Sequence, residues 1–203
     1  MGFSTILDIL GSMLIGGTLL MIMFRLNNAA VENSYNNSED LILQENLTNV
    51  VGILESDLRR MGYCQDWSNL PDPTKSIRYA DSSHIKFLAD IDNNGSVDTV
   101  DYYVGPTSEL TQTPNPNDRY LYRVAGGTAD PITKFDVVEF NLLYFNTFGD
   151  TLSSPVSVPS QIASIQVNIR IENAEAYKSN GNDHYVTAFW RQIKLTARNL
   201  RNR

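Results

Sequence analysis

The sequence predicts an α+β fold: a long amino-terminal helix packed on an antiparallel β-sheet. Three observations carry this. A 22-residue apolar run spans Phe3 to Phe24, apolar residues at helical spacing return between Leu43 and Met61, and beyond Cys64 the chain reads as short alternating strands cut by turn residues. With 203 residues, 42% of them hydrophobic, there is room for one domain with a true core plus an appendage. A net charge of −7 argues against nucleic-acid binding, which needs Lys and Arg against phosphates. One cysteine, Cys64, and two histidines, His84 and His184, exclude a disulfide framework and nearly exclude zinc chemistry.

The first segment, residues 1–25, reads FSTILDILGSMLIGGTLLMIMF from Phe3, with Asp8 its only charge. At ~1.5 Å per residue it is about 33 Å long as a helix, enough to cross a bilayer's hydrocarbon layer. A cleaved secretory signal would want a basic start and a shorter run. Asp8 has two compatible readings. Thr5-x-x-Asp8 fits a capping box at a helix start, and a membrane-buried acid would seek a cation such as a neighbour's amino terminus. Asp8, Ser12 and Gly16 share one helix face, where small residues permit close helix approach. By the charge rule alone, Arg25 after the run would place the following domain in the cytoplasm.

Residues 26–63 continue the helix. The stretch LNNAAVENSYNNSED has no Pro or Gly to stop it, although its Asn and Ser lower propensity. Leu43, Leu47, Val50, Val51, Leu54, Leu58 and Met61 then make one apolar face. Asp57, Arg59 and Arg60 are expected on or near the opposite side, and Gly62 as the carboxy-terminal cap. The whole amounts to about 60 residues, or some 90 Å.

Residues 64–203 form the sheet domain. Alternation is clearest at Ile165-Gln-Val167-Asn-Ile169-Arg-Ile171-Glu172 and at Val138, Phe140, Leu142 and Tyr144. Further strands are expected at Ile77–Ala80, His84–Ala89, Thr99–Val104, Tyr120–Val124 and Tyr185–Ala197. The spacers NLPDPTK, GPTSELTQTPNPND, GGTADP, FGDTLSSPVSVPS and KSNGND hold no helices, so consecutive strands pair antiparallel and the amphipathic helix covers the apolar face.

This architecture resembles the type IV pilin superfamily, and short motifs in the expected order support the likeness. Gly2-Phe3-Ser4-Thr5-Ile6-Leu7-Asp8-Ile9-Leu10 looks like the prepilin segment G|F-T-L-I-E-L-L. Asp57-Leu58-Arg59-Arg60-Met61-Gly62-Tyr63 is similar to the helix end of PilW-type minor pilins and J-class pseudopilins of type II secretion. Ile85-Lys-Phe87, Asp90, Tyr103, Leu121-Tyr122-Arg123 and Ala197-Arg198-Asn199-Leu200 resemble the same subgroup. The departures are that Asp replaces Glu, that one extra residue separates Phe3 from Asp8, and that only Met1 precedes Gly2 where the family carries a basic leader. The resemblance implies processing after Gly2 by a prepilin peptidase and methylation of the Phe3 amine. It implies assembly through Phe3 and Asp8, the acid pairing with a neighbouring subunit's amino terminus. Implied partners are other pilin or pseudopilin subunits and the inner-membrane assembly machinery. The implied location is the bacterial inner membrane, with the domain extracytoplasmic, and then a periplasmic or surface filament.

Asp90-Ile-Asp92-Asn-Asn94-Gly95-Ser96-Val-Asp98-Thr-Val-Asp101 matches a 12-residue Ca2+ loop. Asp90, Asp92, Asn94, Asp98 and Asp101 supply side-chain oxygens, Ser96 a carbonyl, and Gly95 the turn. The other reading is a polar hairpin tip, since Asn-Asn-Gly is ordinary turn chemistry. Neither histidine sits in a catalytic motif, so no enzyme is expected. Cys64 is expected as a half-buried thiol, and Trp67 and Trp190 as packing residues. The basic tail of Arg191, Lys194, Arg198, Arg201 and Arg203 suits an edge strand. The function expected is a structural, minor filament subunit. The alternative is a membrane-anchored, calcium-stabilised adhesion domain that does not polymerise.

Overall fold

The computed structural model describes residues 2–126, 132–179, 182–195 and 199, with the backbone alone at 2–4, 132, 177–179, 182–183 and 192–194. The expected motif residues Ala197, Arg198 and Leu200, and the tail residues Arg201 and Arg203, lie outside the described residues. One helix, α1, runs unbroken over Gly2–Arg60. Eleven strands follow: β1 (Ile77–Asp81), β2 (His84–Ala89), β3 (Asp98–Val104), β4 (Arg119–Gly126), β5 (Ile132–Val137), β6 (Glu139–Phe145), β7 (Thr151–Leu152), β8 (Ser164–Glu172), β9 (Tyr177–Ser179), β10 (Asn182–His184) and β11 (Thr187–Leu195). Every pairing is antiparallel. The class is α+β.

The chain divides into two compact units, Met1–Ile42 and Leu43–Arg203. In the first, residues 5–38 of α1 are exposed throughout. α1 is the one helix among the described residues long and apolar enough to cross a membrane, with a mean hydropathy of 2.0 in its apolar window. The capping reading of Thr5 and Asp8 does not hold. The helix is already formed at Gly2, so both residues stand inside it, and Asp8 lies beyond the first turn where the dipole acts.

In the second unit the end of α1 supplies core. Leu43, Val50, Val51, Leu54, Leu58 and Met61 are buried, as their spacing predicts. The strands form two sheets rather than one: a meander in the order β1-β2-β3-β4-β5, and a second sheet ordered β11-β8-β6-β7. A separate β9–β10 hairpin spans the expected spacer KSNGND, with Tyr177 and His184 paired at its ends. The division has a visible cause at Val137 and Val138. Both are buried, yet consecutive strand residues face opposite ways, so one strand cannot bury both on a single face. The chain leaves β5 there, and the Val138 N–H donates to the Arg170 carbonyl of β8, at 2.9 Å. Ile85, Phe87, Val100 and Leu121 from the first sheet join Phe140, Leu142, Ile165, Val167 and Ile169 from the second in one core with the α1 residues.

Gly62 ends the helix at φ 74°, a conformation that favours glycine. Its N–H donates to the Leu88 carbonyl at 2.9 Å, and the Asp90 N–H to the Tyr63 carbonyl at 2.8 Å. The helix end is thereby pinned to the β2–β3 hairpin, which carries the acidic loop.

Candidate functional site

Residues 90–98 form the tip of the β2–β3 hairpin. Asp90 is fully buried. Its Oδ2 accepts from the N–H groups of Gln65 and Gly95, both at 3.0 Å, and its Oδ1 from the N–H of Asn94 at 3.1 Å. Burial alone would raise this carboxyl. The N–H donors of Gln65, Gly95, Asn94 and Asn93 outweigh it and hold Asp90 below the usual carboxylate range. Asp92 accepts from the Asn94 backbone at 3.2 Å and side chain at 2.8 Å, and Asp98 Oδ2 accepts from the Ile91 N–H at 3.0 Å. Asn94 Oδ1 accepts from the Ser96 N–H at 2.7 Å. Asn93 at φ 59° and Gly95 at φ 83° make the turn.

The structure brings three of the four expected acidic ligands together, and the Asn94 side chain bonds to one of them. Asp90, Asp92 and Asp98 each offer an oxygen within 4.8 Å of the others'. Asp101 does not join them: it lies on β3 opposite Lys86, whose Nζ is 2.9 Å away, and accepts the His84 Nε2 at 2.7 Å. A carboxylate has about four lone-pair sites, and backbone donors take those of Asp90. The hard-oxygen donor set suits a divalent cation, with Asp92 and Asp98 the side chains having lone pairs to spare.

At the amino terminus, the processing residues Gly2 and Phe3 are described in backbone only. Asp8 is exposed. The Ser12 and Thr18 hydroxyls donate to the carbonyls of Ile9 and Ile15, at 2.9 and 2.8 Å, so they carry no unmet donor into lipid. Gly11, Gly16 and Gly17 have open space where a Cβ would stand.

One placement overturns expectation and a second narrows it. Asp57 is buried, not on the polar side of α1: its Oδ2 accepts from Arg123 Nε and the Tyr102 hydroxyl, both at 2.6 Å. Burial, then the Asp57 charge, push the Tyr102 hydroxyl far up. The signal was available. Asp57 lies three residues after Leu54 and four before Met61, on the apolar face, and Arg123 shares the inward parity of Leu121. Trp67, expected in the core or at the domain edge, is 67% exposed and so is no core residue. Elsewhere, His84 lies between Tyr79 and Tyr103, tilted to the first and edge-on to the second with ring centroids 4.6 and 5.7 Å away, and His184 is exposed. Cys64 is buried, which pushes its thiol up and away from a reactive thiolate.

Compared with family models, curated proteins and solved structures, the chain matches none.

Proposed function

We propose that the chain is a structural, minor subunit of a type IV pilus or type II secretion pseudopilus, assembled through its amino-terminal helix. The observation that carries this is α1 itself. One unbroken helix gives its last third to a folded core, while apolar residues such as Leu14, Met21 and Phe24 are 71%, 65% and 59% exposed. A lipid anchor needs apolar side chains alone. The small residues and Asp8 on one face are better explained by neighbouring helices that approach closely and supply a cation. In this reading the subunit waits in the inner membrane with its domain extracytoplasmic, is processed after Gly2, and joins other pilin-like subunits through the assembly machinery. The domain is a contact module without catalysis.

The acidic loop favours a second reading, a calcium-stabilised, membrane-anchored adhesion domain that stays single. Asp92 and Asp98, which keep lone pairs to spare, would hold the cation beside Asp90, and its charge would relieve the repulsion among the three. Assembly separates the two readings. With Asp8→Ala, the filament reading expects normal membrane insertion and loss of incorporation into filaments, measured on sheared or cross-linked fractions. Normal incorporation removes Asp8 from the assembly role.

A further inference from the structure

The segment following the helix and the tip of the acidic hairpin enclose an open cleft of about 610 Å³. Gln65, Asp66, Trp67, Asn69, Asn94 and Ser96 line it. We propose that this cleft binds a neutral carbohydrate, with the Trp67 indole as the stacking platform and the surrounding amides, hydroxyl and carboxylate as hydroxyl partners. The inference is independent of the filament reading.

The lining selects the ligand class. Among the described residues no Lys or Arg lines the cleft, which argues against phosphates and nucleotides. Its walls are mostly polar, which argues against an apolar ligand. Trp67 stands exposed at 67% although burying an indole removes some 150–250 Å² from water. A single flat aromatic surface beside amide groups suits a pyranose: its C–H face lies on the ring while its hydroxyls donate and accept at the rim. A cationic ligand would want several aromatic walls, and here there is one.

The cleft is built before any ligand arrives. Asp66 Oδ1 caps the short turn Trp67–Asn69, accepting from the Ser68 N–H at 3.0 Å and hydroxyl at 2.7 Å. Asn69 Nδ2 donates to the Gly95 carbonyl at 2.8 Å, and the Gln65 N–H to Asp90 Oδ2 at 3.0 Å, so both walls are fixed to each other. The Gln65 side-chain amide, Asp66 Oδ2, Asn69 Oδ1 and Ser96 Oγ take no hydrogen bond among the described residues, which leaves them for sugar hydroxyls. A preorganised wall lowers the ordering cost of binding. The buried Asp90 thus has a second consequence, since it holds the cleft's two walls in register.

The test uses the full chain in a detergent without a sugar headgroup. Chitotriose, maltotriose, cellotriose, lactose and mannobiose are titrated up to about 10 mM, with tryptophan fluorescence and calorimetry as readouts. At least one is expected to bind saturably. Trp67→Ala should weaken it by about tenfold or more in a chain that still melts cooperatively, and Trp67→Phe should retain most of the affinity. Binding of none of the panel, equal binding by Trp67→Ala, or saturable binding of choline or trilysine in place of the sugars would overturn the proposal.

Discussion

Ile42 and Leu43 are neighbours on one helix, yet Ile42 is 58% exposed and Leu43 6%. Before that step, the described apolar side chains of α1 are exposed. After it they make a core with two sheets. Composition and periodicity both separate the regions. Asp8 is the one charge in residues 5–24, whereas 43–61 hold Glu45, Glu55, Asp57, Arg59 and Arg60. Residues 5–24 are apolar around the whole helix, as for a helix surrounded by lipid or other helices, whereas 43–61 are apolar on one face, as for a helix laid on a sheet. One element therefore satisfies two solvents in turn.

The sharpest way to break that contrast is to attack the charge pair on the core side. Arg123→Leu leaves Asp57 and the Tyr102 hydroxyl buried without their cation, and urea unfolding of the Leu43–Arg203 unit should lose about 3–5 kcal/mol. The double variant Asp57→Leu with Arg123→Leu should recover a substantial part, because two apolar side chains replace two buried charges. Similar losses from the single and double variants would show that the pair is not the source.

Next in size is a matched truncation on the two sides of the step. Leu54→Ala removes a fully buried side chain and should cost about 2–5 kcal/mol. Leu20→Ala, at a position 57% exposed, should leave the same unfolding curve within about 0.5 kcal/mol. Equal costs would erase the distinction between the regions.

Acid titration of stability is a smaller effect with two opposing parts. Burial raises the carboxyls of Asp118 and Asp136. Their ionised forms cost stability at neutral pH, and that cost is relieved as pH falls through the raised folded values. Asp81, through the Ser154 hydroxyl and the Ser82 N–H, and Asp90, where backbone donors outweigh burial, are lowered. Their contribution is present above the unfolded value near ~4 and is lost as pH falls through the folded values. Melting temperature should therefore rise slightly from pH 7 into mild acid and then drop. Asp118→Asn should remove part of the rise.

Calcium gives a further handle. Bound to the folded loop alone at a hundredfold excess over Kd, Ca2+ should stabilise the fold by about 2.7 kcal/mol. Asp92→Ala should abolish the increment, and equal melting in Ca2+ and in chelator would reject the cation.

Much of this was legible in the sequence wherever one side of an element is wet. β2 spans the expected His84–Ala89, because its alternation of buried and part-exposed residues is complete. β5 was missed: Lys134 and Asp136 alternate with Thr133, Phe135 and Val137 as in a strand, but only two of those inward residues are apolar, and Val137-Val138 hides the passage between sheets. β7 has two residues, too few for any period to show. In the loop, Asp90, Asp92 and Asp98 lie together, but spacing cannot reveal that Lys86 and His84 claim Asp101 from across the sheet. Asp57 was misplaced because charge was taken as a mark of the wet face, when its position between Leu54 and Met61 says otherwise.

The claim that α1 before Leu43 is covered by other subunits is tested most directly by cysteine scanning. In a Cys64→Ser background, single cysteines from Leu7 to Phe24 would be oxidised in native membranes. The expected result is covalent adducts with like or partner subunits that peak every three to four residues on the face of Asp8, Ser12 and Gly16. Uncross-linked chain at every position, or adducts with no helical period, would contradict the account.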